Sequence, residues 1–147
     1  MTEIIIFDID GTLANIEHRL PLINGEGKSD WDAFHAACVD DAPISEMLMV
    51  AQVLLYTVFP IHLVTGRMEK SRADTTGWLT RNLVEFNRLW MRADGDTRPD
   101  FEIKREILGQ IRGLGFEPIL VFDDRQQVVD MWREEGIRCC QVAKGDY

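Results

Sequence analysis

Residues 4–7, Ile-Ile-Ile-Phe, form an unbroken apolar run rather than an alternating one. Such a run suits a strand buried on both faces, so "EIIIFDI" reads as the first strand. "FPIHLVTG", ending at Thr65 and Gly66, and "PILVFDD", ending at Asp123 and Asp124, share its character, and "RLWMR" and "IRCCQVA" read as shorter strands. Between them the apolar positions take helical spacing. "SEMLMVAQVLLYT" starts where Pro43 and Ser45 mark a helix, and "EKSRADTTGWLTRNL" follows the second strand. "DFEIKREILGQIRGLG" begins after Pro99 and stops at Gly113 and Gly115, and "RQQVVDMWREEG" precedes the last strand. This alternation predicts an α/β fold, a Rossmann-like parallel sheet with helices on both faces. Ligands of such sheets bind at the carboxyl ends of the strands, where Asp8, Thr65 and Asp123 all stand.

One segment breaks the alternation. From about residue 15 to 41 the chain holds a turn-rich "NGEGKSD" and a short helix-like "WDAFHAAC", which reads as a cap-like insert after the first strand. Within it "GEGKS" imitates a phosphate-binding P-loop, but Leu22 stands where that loop needs glycine and no strand precedes it. The turn reading wins, and no kinase domain is expected in this chain. Trp31 and Phe34 could stack on a base, yet their spacing of three suits the buried face of a short helix, which is the reading preferred here. His18, His35 and His62 show no metal-ligand spacing.

Composition narrows the class. A chain of 147 residues, 46% apolar and 28% charged, fits a single domain over residues 1–147 with an ordinary core. No apolar stretch is long enough to span a bilayer and the start lacks a signal peptide's basic region, so no membrane partner is expected. Three cysteines in no CxxC pattern point to a reducing cytoplasm, with the pair Cys139–Cys140 reading as core filler. A formal net charge of -9 argues against coating nucleic acid by phosphate neutralisation, but not against gripping one phosphate locally.

The chemistry gathers in Asp8 and Asp10, Thr65-Gly66-Arg67, Lys104 and Asp123-Asp124. Burying unpaired carboxylates is costly, so something positive must meet them. Mg²⁺, a hard cation that prefers oxygen ligands, fits the aspartates. Thr65, backbone amides before a helix and Lys104 would hold phosphate oxygens. Asp8 is then placed to attack phosphorus, giving an aspartyl-phosphate, with Asp10 as general acid and base. Each piece also has an ordinary reading: Lys104 solvated on an amphipathic helix, and Asp124 capping the next helix with Gln127 in its third position. Their joint order at strand ends makes coincidence improbable.

The pattern "DIDGT…VTGR…K…DD" resembles the haloacid dehalogenase (HAD) superfamily, most of whose members are phosphatases. "GDTRPDFEIKREI" and "FDDRQQVVDMWREEGIRCCQVAKGDY" are similar to the phosphatase domains of bacteriophage polynucleotide kinase/3'-phosphatases. The resemblance implies Asp8 as nucleophile and Asp10 as acid/base, with Lys104 beside them. It implies metal ligands in Asp8, the Asp10 backbone carbonyl, Asp123 and Asp124, and it places Arg19, Arg67 and Asp100 with Thr65 and Gly66 among the substrate-binding residues. From local context alone Arg19 would be a surface loop residue. The activity so implied is Mg²⁺-dependent removal of 3'-phosphates from nucleic-acid ends. A nucleotidase acting on free nucleoside monophosphates uses the same chemistry, and a non-catalytic phosphate-binding scaffold subunit is the alternative of another class.

Overall fold

The computed structural model describes residues 1–145; Asp146 and Tyr147, the end of the last segment of resemblance, lie outside the described residues. In chain order the strands are β1 (Thr2–Phe7), β2 (Ala14–Asn15), β3 (Ala42–Pro43), β4 (Ile61–Met68), β5 (Arg88–Arg92), β6 (Phe116–Asp123) and β7 (Cys139–Gln141). The α-helices are α1 (Pro21–Asn24), α2 (Trp31–Ala36), α3 (Ser45–Leu54), α4 (Arg72–Arg81), α5 (Asp100–Gly113) and α6 (Gln126–Glu134). Five strands make one parallel sheet in the order β5-β4-β1-β6-β7, and β2 pairs with β3 in a small antiparallel ribbon. The expected parallel α/β architecture is therefore present.

β1 is central, which explains its unbroken apolar run. Ile4 and Ile6 enter one core with α5 and α6, while Ile5 and Phe7 enter the other with α3 and α4. Successive strand side chains face opposite ways, so a strand with helices on both faces needs apolar residues at every position. Phe7 and Phe122, paired in register across β1 and β6, stack with ring centroids 4.6 Å apart.

Several element ends differ from the sequence reading: α4 is helical only over Arg72–Arg81, β7 is a strand only over Cys139–Gln141, and three others bear on the site or the surface. β4 runs on to Met68 through an irregular register after Val64, because Gly66 and Arg67 continue the extended backbone. α3 stops at Leu54, three residues early, and Tyr56 and Val58 stand exposed in the turn beyond it. Arg125, not Asp124, occupies the cap position of α6, with no side-chain cap bond, so the capping role for Asp124 is not realised. Cys139 fills core as expected, whereas Cys140 is exposed, since adjacent residues of an edge strand face opposite ways. The P-loop-like residues 25–29 form an irregular turn between α1 and α2. Among the described residues no helix is long and apolar enough to cross a membrane.

The segment between β2 and β3 is tied to the body by Trp78 of α4. Its side chain is 1% exposed and its indole Nε1 donates to the Asp41 carbonyl at 2.7 Å. Trp78→Ala should cost about 3–5 kcal/mol in urea unfolding. Trp78→Phe, which keeps a ring and loses the bond, should cost clearly less.

Candidate active site

The loop after β1 is set by backbone bonding. The Asp8 amide donates to Phe122 O at 3.0 Å, extending the sheet ladder by one residue. The amides of Thr12, Leu13 and Ala14 then all donate to Ile9 O, closing a tight turn in which Gly11 takes φ 83°, a conformation that costs glycine little. Asp8 and Asp10 thus leave the central strand at its carboxyl end.

Two charge clusters form around them. In the first, Lys104 of α5 donates to Asp8 Oδ1 at 2.7 Å and to Asp123 Oδ2 at 2.9 Å, and its Nζ lies 3.6 Å from Asp100 Oδ2. Thr12 Oγ1 donates to Asp8 Oδ2 at 3.1 Å, and the Trp132 indole donates to Asp123 Oδ2 at 3.2 Å. Lys104 is 1% exposed, so its solvated reading fails. Burial opposes its charge, but Asp123, Asp8 and Asp100 outweigh that and push its pKa well above the usual lysine value. Asp8 moves the opposite way from a stable anion. Burial and then Asp123 push its carboxyl well above the ordinary range, with Lys104 pulling against them.

Asp8, Asp123 and Asp124 are all buried, and each offers an oxygen within 4.8 Å of the others. Three carboxylates against one ammonium leave surplus negative charge, and the donors are all oxygens. Such a set fits a hard divalent cation, which would also work against the rise at Asp8.

The second cluster joins Asp10 to the insert. Arg67 Nη2 donates to Asp10 Oδ1 at 2.6 Å and Arg19 Nη2 to the same oxygen at 2.9 Å. Burial would raise the Asp10 carboxyl, but Arg67 and then Arg19 more than offset it and hold it at about 2. Arg19 is 1% exposed, so the surface-loop reading of this residue is overturned. It donates through Nε and Nη2 to the two oxygens of Asp41, both at 2.8 Å, and lies 4.4 Å from the Phe34 ring centroid. Arg67 also reaches Asp41, at 3.0 Å, and Thr75 Oγ1.

Thr65 is fully buried where β4 runs into this cluster and accepts the Arg67 amide on Oγ1 at 3.2 Å. Gly66 is required where it stands, because a Cβ there would run into the Asp100 carboxylate. Its carbonyl accepts from Arg92 Nε at 2.8 Å.

A cavity of about 560 Å³ opens onto both clusters. Asp8, Asp10, Gly66, Arg67 and Asp100 line it, with Ile16, Ile23, Trp31, Phe34 and His35 from the insert, Arg92 at the end of β5, Arg98 from the loop after it and Arg125 from the loop after β6. Phe34 is buried as expected, whereas Trp31 is 54% exposed, so the common burial foreseen for the pair is only half right.

Residues 2–147 match the family model described as the polynucleotide kinase PNKP phosphatase domain. The chain belongs to this family. It is a HAD-type phosphatase domain, as the order of its strand-end residues implied. It is 28% identical over 132 residues to the "Putative bifunctional polynucleotide kinase/RNA ligase" of Autographa californica nuclear polyhedrosis virus, covering 88% of this chain and 18% of that protein. A chain in the structure of the Pnkp1/Rnl/Hen1 RNA repair complex is 29% identical with a TM-score of 0.82, all of this chain matching 44% of that one. The phosphatase domain thus spans less than half the length of these relatives. A haloacid dehalogenase-like hydrolase from Streptococcus pneumoniae shares the fold, with a TM-score of 0.64 at 13% identity over 96% of this chain and 84% of that one.

The site residue that sequence reasoning missed is Asp41. Its side chain is wholly buried, and besides the two arginines His18 Nε2 lies 2.7 Å from it. It belongs to no motif, but a buried Arg19 demands a carboxylate, and the insert's closing Asp40-Asp41 was the available signal. Thr12 was equally unassigned although it stands inside "DIDGT". Asp41→Asn should destabilise by about 3–5 kcal/mol, because two buried guanidiniums would be left sharing Asp10. Asp40→Asn on the exposed neighbour should change chemical unfolding by no more than about 0.5 kcal/mol.

Proposed function

We propose that this phosphatase domain removes 3'-phosphates from polynucleotide ends, with Mg²⁺, through an aspartyl-phosphate on Asp8. The observation that carries this reading is Asp8 itself: it lines the cavity while its carboxylate sits in a buried oxygen cluster beside Lys104. The family description supports a polynucleotide substrate, and so does the strand of arginines, Arg92, Arg98 and Arg125, along a cavity in an acidic chain. The segment from about residue 15 to 41 acts as the cap of a single phosphatase domain.

Asp8 attacks phosphorus, forming the new P–O bond as the bond to the sugar O3' breaks. Lys104 keeps Asp8 oriented and lessens the repulsion between its carboxylate and the incoming phosphate. Arg19 and Arg67 hold phosphate oxygens, with Thr65 and Gly66 of β4 fixing the backbone beneath them. In the free protein the two arginines keep Asp10 ionised, the form that takes a proton from hydrolytic water. A phosphate that draws their donors away frees Asp10 to rise and carry the proton to the leaving O3'. Asp8, Asp123, Asp124 and the Asp10 carbonyl would hold Mg²⁺, which when bound supplies charge that offsets both the carboxylates and the phosphate. Asp100, fixed against Gly66 and Lys104, maintains the strand-end geometry.

Phosphate release should be highest from a 3'-phosphorylated oligonucleotide within a panel that includes 3'- and 5'-mononucleotides, should disappear in excess chelator and should return with Mg²⁺. Preference for free mononucleotides would replace the 3'-end reading by a nucleotidase, and full activity in chelator would remove the metal from it.

The two aspartates should separate by leaving group. Asp8→Asn should abolish turnover of every substrate. Asp10→Asn should slow alkyl phosphates by about 10²–10⁴-fold and a phenolate leaving group markedly less in the first step. Near-normal turnover by Asp8→Asn would sink the covalent route.

A further inference from the structure

Phosphate and metal chemistry leaves the insert's aromatic residues unexplained. Trp31 opens α2, whose start is fixed by the Asp30 side chain accepting from the Ala33 amide at 3.0 Å. Its indole is 54% exposed, a large apolar area to leave in water, and it faces the same cavity as Asp8. It is nevertheless held. Phe34 braces it edge-on, with centroids 5.7 Å apart and planes at 77°, and His35 lies beside it at 6.1 Å and 31°.

The brace is itself anchored. Phe34 is buried, its ring packs against the Arg19 guanidinium at 4.4 Å, and its carbonyl accepts from Arg19 Nη1 at 3.3 Å. Arg19 in turn donates to Asp10. A rigid chain of contacts therefore runs from the half-exposed indole to the carboxylate beside the nucleophile. A cavity of about 560 Å³ lies within the range that takes whole small-molecule ligands, well beyond the needs of a phosphate. His35 adds no competing cation, since burial, then Lys70 and Arg19, lower its pKa below the usual histidine value.

We infer that Trp31, with His35 at its edge, is a stacking shelf for the nucleobase of the residue that carries the scissile phosphate. The inference rests on the 3'-phosphatase reading for its substrate, and it makes Trp31 a specificity-determining residue. A planar base on the exposed indole face would cover its apolar area. Because the shelf is braced through Phe34 and Arg19, base and phosphate would be positioned together. The apolar neighbours Ile16, Ile23 and Met68 suit the flank of a base.

The test compares two oligonucleotides that both end in a 3'-phosphate, one with a normal terminal residue and one whose terminal residue is abasic. Phosphate release with Mg²⁺ gives kcat/KM for each, and the readout is their ratio. The wild-type protein should favour the base-bearing end, and Trp31→Ala should shrink that preference roughly five- to a hundredfold, the range of one base–aromatic stack. Trp31→Phe should restore most of it. An unchanged ratio, with both substrates losing equally or neither losing, would overturn the shelf and return Trp31 to simple packing. So would a wild-type protein indifferent to the base. If wild-type protein instead prefers 5'-mononucleotides, the 3'-end reading falls by itself. The same ratio, taken between a 5'-mononucleotide and ribose 5-phosphate, then decides the shelf.

Discussion

The structure turns on the burial of negative charge at the carboxyl ends of its two central strands. Asp8, just beyond β1, and Asp123, at the end of β6, sit side by side, and the ammonium that reconciles them arrives from α5 as a buried Lys104. A lone buried carboxylate is untenable, and a buried pair without its cation more so. Lys104 must therefore lie where α5 packs beneath the sheet edge, and the apolar face of α5, through Ile103, Ile107 and Ile111, sets that position. Trp132 joins α6 to the same arrangement through Asp123. Core packing on one face of the sheet and electrostatics at its edge are thus one constraint.

Two residues on, the same loop meets the opposite environment. Asp8 lies among carboxylates and is driven toward its neutral form, whereas Asp10 lies between guanidiniums and is kept ionised at about 2. Two carboxyls of one short loop are thus pushed in opposite directions by their surroundings. The division depends on the insert, since Arg19 and the Asp41 that orients it stand near its two ends. The insert does more than cover the cavity: through Arg19 it adds to the charge, led by Arg67 of β4, that sets Asp10.

The sheet was legible because a strand buried on both faces cannot hide its composition: β1 and β6 carry unbroken apolar runs, and that of β4 is interrupted only by the buried His62. Their parallel arrangement followed from the alternation with helices. Asp8, Asp10, Asp123 and Asp124 were legible because, although each has an ordinary reading alone, their joint order at strand ends makes coincidence improbable, and Lys104 was legible only as part of that set. Asp41 was not, because its role exists only through Arg19 and Arg67, which approach it from distant parts of the chain. The burial of Arg19 was opaque for the same reason: local context shows a polar loop, and only the packed insert removes the water. Trp31 and Phe34 share one helical turn and one spacing, yet differ in exposure. Periodicity marks which residues share a face, and not how far the neighbouring elements reach over it.

The positions of Asp8 and Lys104 along the chain, 96 residues apart, bear on how the molecule comes into being. β1 is made first but occupies the middle of the sheet, between β4 and β6. A growing chain can pair β1 with β4 early, leaving the other edge of β1 open until β6 emerges, and non-local pairings of this kind slow folding. Until then the isoleucine-rich strand is half covered and Asp8 and Lys104 lack the Asp123 that completes their cluster. The centre of the sheet is finished after its flank, and the acidic site comes together only once β6 has been made.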